Sequence, residues 1–174
     1  MFLSAMQADE LYRLAEIDRS EAIEASYQLQ NGQLVLIADA QLATGFTAEE
    51  LSELMQRQSE LLQAGGKIMG AFEQDKLVGM ASVALPLFGR DKSYCKMDIL
   101  YVSRPHRGQG IAKQLLHSIK IIARTFEASH LYISATPTQH TVDFYLAQGA
   151  QLATEINPQL WAMEPDDIHL ELPL

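Results

Sequence analysis

A basic, glycine-containing segment past the middle of the chain has the residue types that bind phosphate. It consists of Arg107, Gly108, Gln109, Gly110, Ile111, Ala112 and Lys113. A strand-like apolar run precedes it and an amphipathic helix pattern follows it, so its backbone N–H groups lie at a helix start without helical partners. With the helix dipole, such N–H groups attract anions. The two glycines let the backbone approach a phosphate without a Cβ, and Arg107 and Lys113 add positive charge.

Other phosphate motifs fit this segment less well. A Walker A loop requires Gly-Lys-Ser/Thr four residues after a first glycine, and the chain has none. A dinucleotide fingerprint requires Gly or Ala three residues after Gly110, where Lys113 stands. The alternative is a plain strand-to-helix connection in which the glycines only form the turn.

Few other side chains suggest chemistry. The single cysteine, Cys95, excludes an internal disulfide and a cysteine-built zinc site, and we interpret it as buried and inert. No spacing of His, Asp or Glu predicts a metal site, and no Gly-x-Ser-x-Gly sequence predicts a nucleophilic serine. Histidine side chains can act as general bases, and for the two candidates His106 and His140 we favour a surface or capping role over catalysis.

Hydrophobic periodicity predicts the elements that position the segment. Helices are predicted over Ala8–Asp18, from Thr47 to Gly65-Gly66, over Gly110–Phe126, and from Thr138 or Gln139 to Gln148. Strands are predicted on both sides of Asn31-Gly32 within Ser20–Ala40, and over Lys67–Glu73, Leu77–Phe88, Ser93–Val102 and His130–Ala135. For Ala150–Leu174 we predict two or three short extended pieces. This order indicates a mixed α/β sheet with helices packed on it.

Composition and charge exclude several classes of protein and favour one kind of ligand. The chain has 174 residues, 48% of them apolar, which allows one domain with a core and excludes collagen, coiled-coil rods and wholesale disorder. Residues 90–124 hold eight of the thirteen Lys and Arg residues and two acids, a charge of +6 against −15 elsewhere. This distribution favours a local anionic ligand over nucleic acid bound along a whole face.

Two further features of the sequence predict where in the cell the protein is found. The longest apolar run is broken by Pro86 and is too short for a membrane helix. The N-terminus shows no basic residue before an apolar stretch, so no signal peptide is evident. We therefore expect a cytoplasmic protein without a membrane partner.

Three motifs give the chain a resemblance to the GCN5-related N-acetyltransferase (GNAT) superfamily. Arg107–Ala112 matches that family's Arg/Gln-x-x-Gly-x-Gly/Ala turn, which holds the pyrophosphate of acetyl-CoA, and Ile99–Val102 matches its fourth strand. Val142–Ala150 looks like its Phe-Tyr…Gly-Phe segment, and Leu77-Val78-Gly79 looks like its second hairpin. The resemblance implies one acetyltransferase domain over residues 1–174, with an acyl-CoA-binding core at about residues 68–152. It also implies the family's mixed, mostly antiparallel twisted sheet with flanking helices.

The resemblance further implies direct transfer of acetyl from acetyl-CoA to an amine, with no metal. It places the turn of residues 107–113, the strand residues Leu100, Tyr101 and Val102, and also Thr138 and Phe144 against CoA. Thr138 stands where the family often has Asn. Tyr145 matches the family's general acid, which protonates or hydrogen-bonds the departing thiolate, and we expect its neighbour Phe144 to take the packed core position.

The general base is left open by the sequence. Many family members place a Glu on the fourth strand, and the two same-face candidates here are Lys96 and Asp98. Lys96 is a poor base unless it is strongly desolvated, so we predict Asp98, either directly or through a water. An exposed strand acid without a catalytic role is the alternative for Asp98.

The acceptor is predicted from charge. In this family it lies across the sheet, beside the chain ends that carry the negative charge, so we expect a cationic small-molecule or peptide amine. A non-catalytic acyl-CoA-binding sensor or interaction module, and transfer of a longer acyl group or to oxygen, stay open as alternatives. The tail around Leu160–Leu170 lines the acceptor slot or pairs with another subunit, so a homodimer also stays open.

Overall fold

The computed structural model describes residues 1–174, in which strands and helices are interspersed. The strands are β1 (Phe2–Ala5), β2 (Glu21–Gln30), β3 (Gln33–Ala43), β4 (Lys67–Glu73), β5 (Lys76–Phe88), β6 (Tyr94–Val102), β7 (His130–Ala135), β8 (Gln151–Leu152) and β9 (Ile168–Pro173). The α-helices are α1 (Ala48–Gln63), α2 (Ile111–Thr125), α3 (Gln139–Ala147) and α4 (Pro158–Met163). Short 3-10 segments span Ala8–Glu16, Arg90–Lys92 and Arg104–His106. No helix has the length and apolar character needed to span a bilayer.

Seven of the nine strands form one sheet in the order β1-β4-β5-β6-β7-β9-β8. Only β6 and β7 run parallel, with α2 as the crossover between them, and every other pair in the sheet is antiparallel. This confirms the predicted mixed, mostly antiparallel sheet with flanking helices. β2 and β3 form a separate hairpin, whose turn at Asn31 (φ 50°) and Gly32 (φ 78°) has the left-handed conformations that an Asn-Gly pair predicts.

The centre of the sheet opens between β6 and β7. The two strands pair over Tyr94–Met97 and His130–Ile133 and then part. Residues 99–102 of β6 pair only with β5 beyond that point, while Ser134 and Ala135 of β7 pair only with β9. The edge of β6 that faces β7 therefore has backbone groups free for another chain to pair with.

A β-bulge at Asp98 accompanies this opening. The register between Ser82–Val83 of β5 and β6 shifts by one residue, because Val83 pairs with Met97 and Ser82 pairs with Ile99. Met97 consequently packs in the core beneath α2, whereas Ile99 packs in the core beneath α1. Bulges re-aim side chains in this way and are common beside functional sites.

Helices cover both faces of the sheet. The apolar stripe of α2, which includes Leu115, Leu116 and Ile119, packs with α3 over one face. On the other face α1 and the 3-10 segment Ala8–Glu16 bury leucines against the sheet. The N-terminus of α2 therefore lies beside the place where β6 and β7 part.

Two predicted elements differ in the structure. Ala8–Glu16 is a 3-10 helix instead of an α-helix, and a capping box between Gln7 and Glu10 closes its start. The tail contains α4 in addition to strands; this helix begins after the N-cap Asn157, with Pro158 at its first position. Six residues are too few to show a helical period, and β1, with four, is too short for the same reason.

Candidate active site

A cleft of about 720 Å³ follows the opened edge of the sheet. It is lined by the end of β6, the turn and first residues of α2, the end of β7, and α3. The hairpin closes a further side, where Leu42–Thr44 and Glu21 line the cleft. Of the positions predicted to contact CoA or to act in catalysis, all but Gln109 border this one cleft.

The turn before α2 presents unpaired backbone N–H groups to the cleft. Gly108 (φ 74°) and Gly110 (φ 81°) are left-handed, which residues with a Cβ rarely adopt. A Cβ at either glycine would meet no atom within 4 Å, so both border open space. The first N–H that bonds within α2 is that of Gln114, which donates to the Gly110 carbonyl oxygen at 3.1 Å. The N–H groups of residues 108–113 are therefore available at the positive end of the helix, an arrangement that suits a phosphate or pyrophosphate.

The Arg107 side chain does not supply free charge to this turn, contrary to the prediction. Its Nε donates to the Val102 carbonyl oxygen and its Nη2 to the Arg19 carbonyl oxygen, both at 3.1 Å. Its Nη1 lies 3.7 Å from a carboxylate oxygen of Glu21. The guanidinium thus joins β6, the turn and the hairpin, whereas Lys113 is exposed in the first turn of α2 and borders the cleft.

Three strand residues, Leu100, Tyr101 and Val102, line the cleft where β6 no longer pairs with β7. The ring of Tyr101 packs edge-on against Phe46, with 5.6 Å between centroids, and the Arg19 guanidinium lies 4.3 Å from the Phe46 centroid. Burial raises the pKa of the Tyr101 phenol. The open strand edge is therefore backed by a rigid aromatic cluster on the α1 side.

α3 holds Tyr145 against the cleft. Tyr145 is 5% exposed, burial raises its pKa well above the usual value, and its hydroxyl has no hydrogen-bond partner in the chain. The phenol therefore keeps its proton at neutral pH and can donate it. The expected packing is reversed: Val142 and Tyr145 face the core, three residues apart, and Phe144 is the more exposed ring. The two rings meet edge to face at 5.2 Å, and both border the cleft.

Thr138 is the N-cap of α3 and also borders the cleft. Its Oγ1 accepts the Thr141 backbone N–H at 3.4 Å and donates to Thr141 Oγ1 at 2.9 Å. The hydroxyl proton is used within the cap, so Thr138 faces the cleft as a hydrogen-bond acceptor.

Asp98 is held by three side chains. Its Oδ1 accepts from Lys96 Nζ at 2.6 Å, and its Oδ2 accepts from Gln58 Nε2 at 2.6 Å and lies 3.1 Å from Arg57 Nε. Burial, the largest effect, would raise the pKa of this carboxyl, but the combined effect of Lys96, Arg57 and Gln58 outweighs it and lowers the pKa. A buried carboxylate that is already paired with two cations is a weak proton acceptor. The geometry therefore disfavours the predicted role of Asp98 as general base.

The other side chains considered in the sequence are one glutamine of the turn, two histidines and the single cysteine. The Gln109 side chain donates to the Pro105 carbonyl oxygen at 3.1 Å and stays outside the cleft, and His106 Nε2 lies 3.1 Å from a carboxylate oxygen of Glu73. His140 borders the cleft in the first turn of α3.

Cys95 is buried, which raises the pKa of its thiol to about 12, so it is inert as predicted. No group of three or more His, Cys, Asp or Glu side chains is arranged to hold a metal ion.

The fold brings together Ser134 and Asp167, two residues that the sequence patterns do not predict as functional. Ser134 is the first residue of β7 beyond its pairing with β6, and it borders the cleft. Its Oγ donates to Asp167 Oδ2 at 2.9 Å across 33 residues of sequence. Neither residue belongs to a sequence motif, and Asp167 precedes β9, so only the polar position of Ser134 within the apolar β7 could have given a signal.

Comparison with known families gives one match. A family model described as the acetyltransferase (GNAT) family matches residues 33–150, a range that contains the phosphate turn, β6 and α3. No curated protein sequence matches the chain.

Solved structures resemble the chain over its whole length. A nourseothricin acetyltransferase superposes with a TM-score of 0.74 at 15% identity, covering 99% of this chain and 97% of the other. A Bacillus anthracis protein assigned as a streptothricin acetyltransferase, in complex with acetyl coenzyme A, gives 0.67 at 14% identity over 99% and 97% of the two chains. The PaiA N-acetyltransferase of Thermoplasma acidophilum, in complex with coenzyme A, gives 0.61 at 14% identity over 100% of both. At these identities the likeness establishes the fold.

Proposed function

This chain belongs to the acetyltransferase (GNAT) family, and we propose that it transfers the acetyl group of acetyl-CoA to a primary amine of a small molecule or peptide. One observation carries the proposal: the free N–H groups of the turn at Gly108 and Gly110 border the same cleft as Tyr145 and the open edge of β6. That cleft combines an anion-binding helix end, a strand edge and a proton donor. These are the groups that direct transfer from an acyl-CoA requires.

The two halves of the donor suit different parts of the cleft. The N–H groups of residues 108–113 would hold the pyrophosphate, with Lys113 adding positive charge. The edge of β6 at Leu100–Val102, apart from the Val102 carbonyl oxygen that Arg107 occupies, would pair with the extended pantetheine arm as an added strand does. Phe144 and the cap residue Thr138 form the opposite wall. Holding the arm at both ends would fix the thioester where β6 and β7 part, and this proximity supplies much of the catalysis.

Two groups would then act on the reacting atoms. Tyr145 would donate its proton, or a hydrogen bond, to the sulfur that leaves, since its raised pKa keeps the phenol protonated at neutral pH. A backbone N–H of β6 beside the bulge at Asp98 would stabilise the negative charge that develops on the carbonyl oxygen. Asp98, paired with Lys96 and Arg57, would keep this bulge in position.

A cationic acceptor is favoured by the second large cleft. This cleft, of about 950 Å³, lies between the hairpin and the tail and is lined by Asp39, Asp166, Asp167 and Trp161, with no Lys or Arg among its lining residues. The hydrogen bond between Ser134 and Asp167 connects it with the first cleft, which Ser134 borders. Carboxylates attract an ammonium group, and an exposed indole binds cations over its face.

We extend the proposal to residues 1–174 as one catalytic domain that acts in the cytoplasm. The large sheet takes its edge strand β1 from the start of the chain and its penultimate strand β9 from the end. Removal of either end would therefore expose a strand edge of the sheet.

The proposal is tested by binding and turnover together. Acetyl-CoA at about 100 times its dissociation constant should raise the free energy of unfolding by about 2.7 kcal/mol, which a thermal-shift titration detects. Release of free thiol is then followed with polyamines, amino sugars and lysine-like amines, against neutral and anionic amines of similar size. Amine-dependent thiol release supports the proposal, with cationic amines preferred at low salt. Failure of acetyl-CoA to stabilise the protein, or stabilisation without turnover on any amine, would contradict it.

A further inference from the structure

Ser134 occupies the point where the two central strands part. The preceding residue, Ile133, makes the last contact in the parallel pairing, with Met97. Along β7, Leu131, Ile133 and Ala135 pack in the core beneath α2 and α3. Since side chains alternate along a strand, Ser134 projects from the opposite face. That face is on the side of the cleft of about 950 Å³ between the hairpin and the tail, which we call the acceptor cleft.

Asp167 reaches the same point from the tail. It precedes β9 and lines the acceptor cleft half-buried, and its Oδ2 accepts the Ser134 Oγ–H at 2.9 Å. Two other carboxylates on this face are already occupied: Asp98 is paired with Lys96 and Arg57, and Glu171 accepts hydrogen bonds from Tyr94, Gln151 and Thr154. Asp167, by contrast, forms no ion pair in the structure. Asp167 is therefore an uncompensated carboxyl beside the reacting position.

We propose, building on the acetyltransferase function above, that Asp167 takes the proton from the acceptor ammonium through the hydroxyl of Ser134. Ser134 Oγ touches the amine and Asp167 lies behind it, so Ser134 is the catalytic residue of this relay and Asp167 its terminal proton acceptor. Asp98 has a structural role at the bulge. The proposal assigns the general base to a residue of β7 and the residue that precedes β9, both outside every motif of the chain.

The surroundings of Asp167 suit a base that works near neutral pH. Burial, the largest effect, acts together with a hydrogen bond to Glu164 and the charges of Glu164 and Asp166, and against the Ser134 hydrogen bond, which lowers the pKa. Their net result raises the pKa of Asp167 to about 7. The other titratable groups on this face are His169 and Tyr132, which hydrogen-bond each other at 2.7 Å, Glu171, whose carboxylate accepts from the Tyr94 hydroxyl, and Asp39 of the hairpin. Burial lowers the pKa of His169, so no cation opposes the effect of the acidic groups.

The proton balance is complete with these groups. The ammonium gives one proton to Ser134 Oγ as Ser134 passes its own proton to Asp167 Oδ2, which leaves a neutral amine. The amine nitrogen bonds to the thioester carbonyl carbon and the carbon–sulfur bond breaks. Tyr145 gives its proton to the leaving sulfur, and the nitrogen then loses its second proton, which restores the Tyr145 hydroxyl. Asp167 releases the first proton to solvent. The net products are the amide, free CoA thiol and one proton.

The test compares three variants in the full-length protein: Asp167→Asn, Ser134→Ala and Asp9→Asn. In the wild type kcat/KM should rise with pH through about 7, since the base must be deprotonated. In Asp167→Asn this limb should disappear and the rate should fall by about 10²–10⁴-fold. The remaining rate should rise only at higher pH, where the amine loses its proton without the help of the enzyme. Ser134→Ala should lower the rate and keep acetyl-CoA affinity. Asp9→Asn, which removes the same charge from an exposed residue that lines neither cleft, should leave rate and profile unchanged.

A second measurement does not depend on turnover. A carboxyl whose pKa is raised on folding makes the native state less stable as the pH rises between its unfolded value, about 4, and its folded value. The free energy of unfolding of the wild type should therefore fall from pH 4 to pH 7 relative to Asp167→Asn. An Asp167→Asn enzyme that keeps the limb near neutrality, or equal pH dependence of stability in the two proteins, overturns the inference alone. A wild type without amine-dependent turnover overturns the proposed function and this inference with it.

Discussion

The Arg107 guanidinium donates to the carbonyl oxygen of Val102 at 3.1 Å, which bends the chain between the end of β6 and the phosphate turn back on itself. The same side chain reaches the Arg19 carbonyl oxygen and the Glu21 carboxylate at the base of the hairpin. The side chain of a basic residue in a phosphate-binding motif is thus occupied by groups of the protein itself.

Replacement of Arg107 by Met should therefore act mainly on stability. Loss of charge-assisted hydrogen bonds of this kind costs about 1.5–3 kcal/mol each, so the free energy of unfolding in urea should fall by at least that amount. Acetyl-CoA affinity should fall while its salt dependence is kept. Lys113→Met is the matched control, since it should leave stability unchanged and weaken binding in a salt-dependent way. The reverse pattern would show that Arg107 contacts phosphate directly.

Gly110→Val should weaken acetyl-CoA binding by distorting the turn. A left-handed conformation costs a residue with a Cβ about 1–2 kcal/mol, and the new side chain would occupy the open space that we assign to the pyrophosphate. Isothermal titration calorimetry should show that the binding free energy of acetyl-CoA falls by more than this conformational strain. Gly32→Val is the control, because Gly32 has a similar φ of 78° and equally open surroundings at the far end of the hairpin. Equal losses of affinity in both variants would contradict the assignment.

Tyr145→Phe should separate binding from chemistry. The variant keeps the buried ring and removes only the hydroxyl, so the dissociation constant of acetyl-CoA should not change. Loss of a general acid should lower kcat by about 10²-fold or more. Tyr12→Phe, at a residue that is 67% exposed and outside the cleft, should change neither quantity. Full activity in Tyr145→Phe would remove the phenol from the mechanism.

Asp98→Asn should behave as a structural variant. The lowered pKa means that the ionised Asp98 stabilises the folded state above the unfolded pKa of about 4 and that this contribution is lost as the pH falls below it. Breaking a buried ion pair on one side costs about 3–5 kcal/mol. Urea unfolding should show this deficit at pH 7 and a smaller one at pH 3. The acid limb of kcat/KM should remain in place; its loss here, and not in Asp167→Asn, would restore Asp98 as the base.

Features that depend on a few neighbouring residues could be predicted from the sequence. Thr47 and Glu50 form the predicted capping box, with N–H to side-chain oxygen distances of 2.8 and 3.1 Å, because both partners lie within one helical turn. The Asn31-Gly32 hairpin and the left-handed Gly108 and Gly110 are local in the same sense. Alternation and helical periodicity then gave the mixed sheet, since each pattern reports which face of its own element is buried.

The roles of individual side chains were decided by contacts that are distant in sequence. Asp98 meets Gln58 across 40 residues, Arg107 meets the Arg19 carbonyl across 88, and Ser134 meets Asp167 across 33. A carboxyl becomes a structural anion or a proton acceptor according to the charges and burial around it, and those come from other elements of the fold. The sequence by itself therefore determined the class of the protein and the place of its phosphate turn. Only the tertiary structure decided which acid is neutralised, which basic side chain is turned inward and which pair of residues stands where the central strands part.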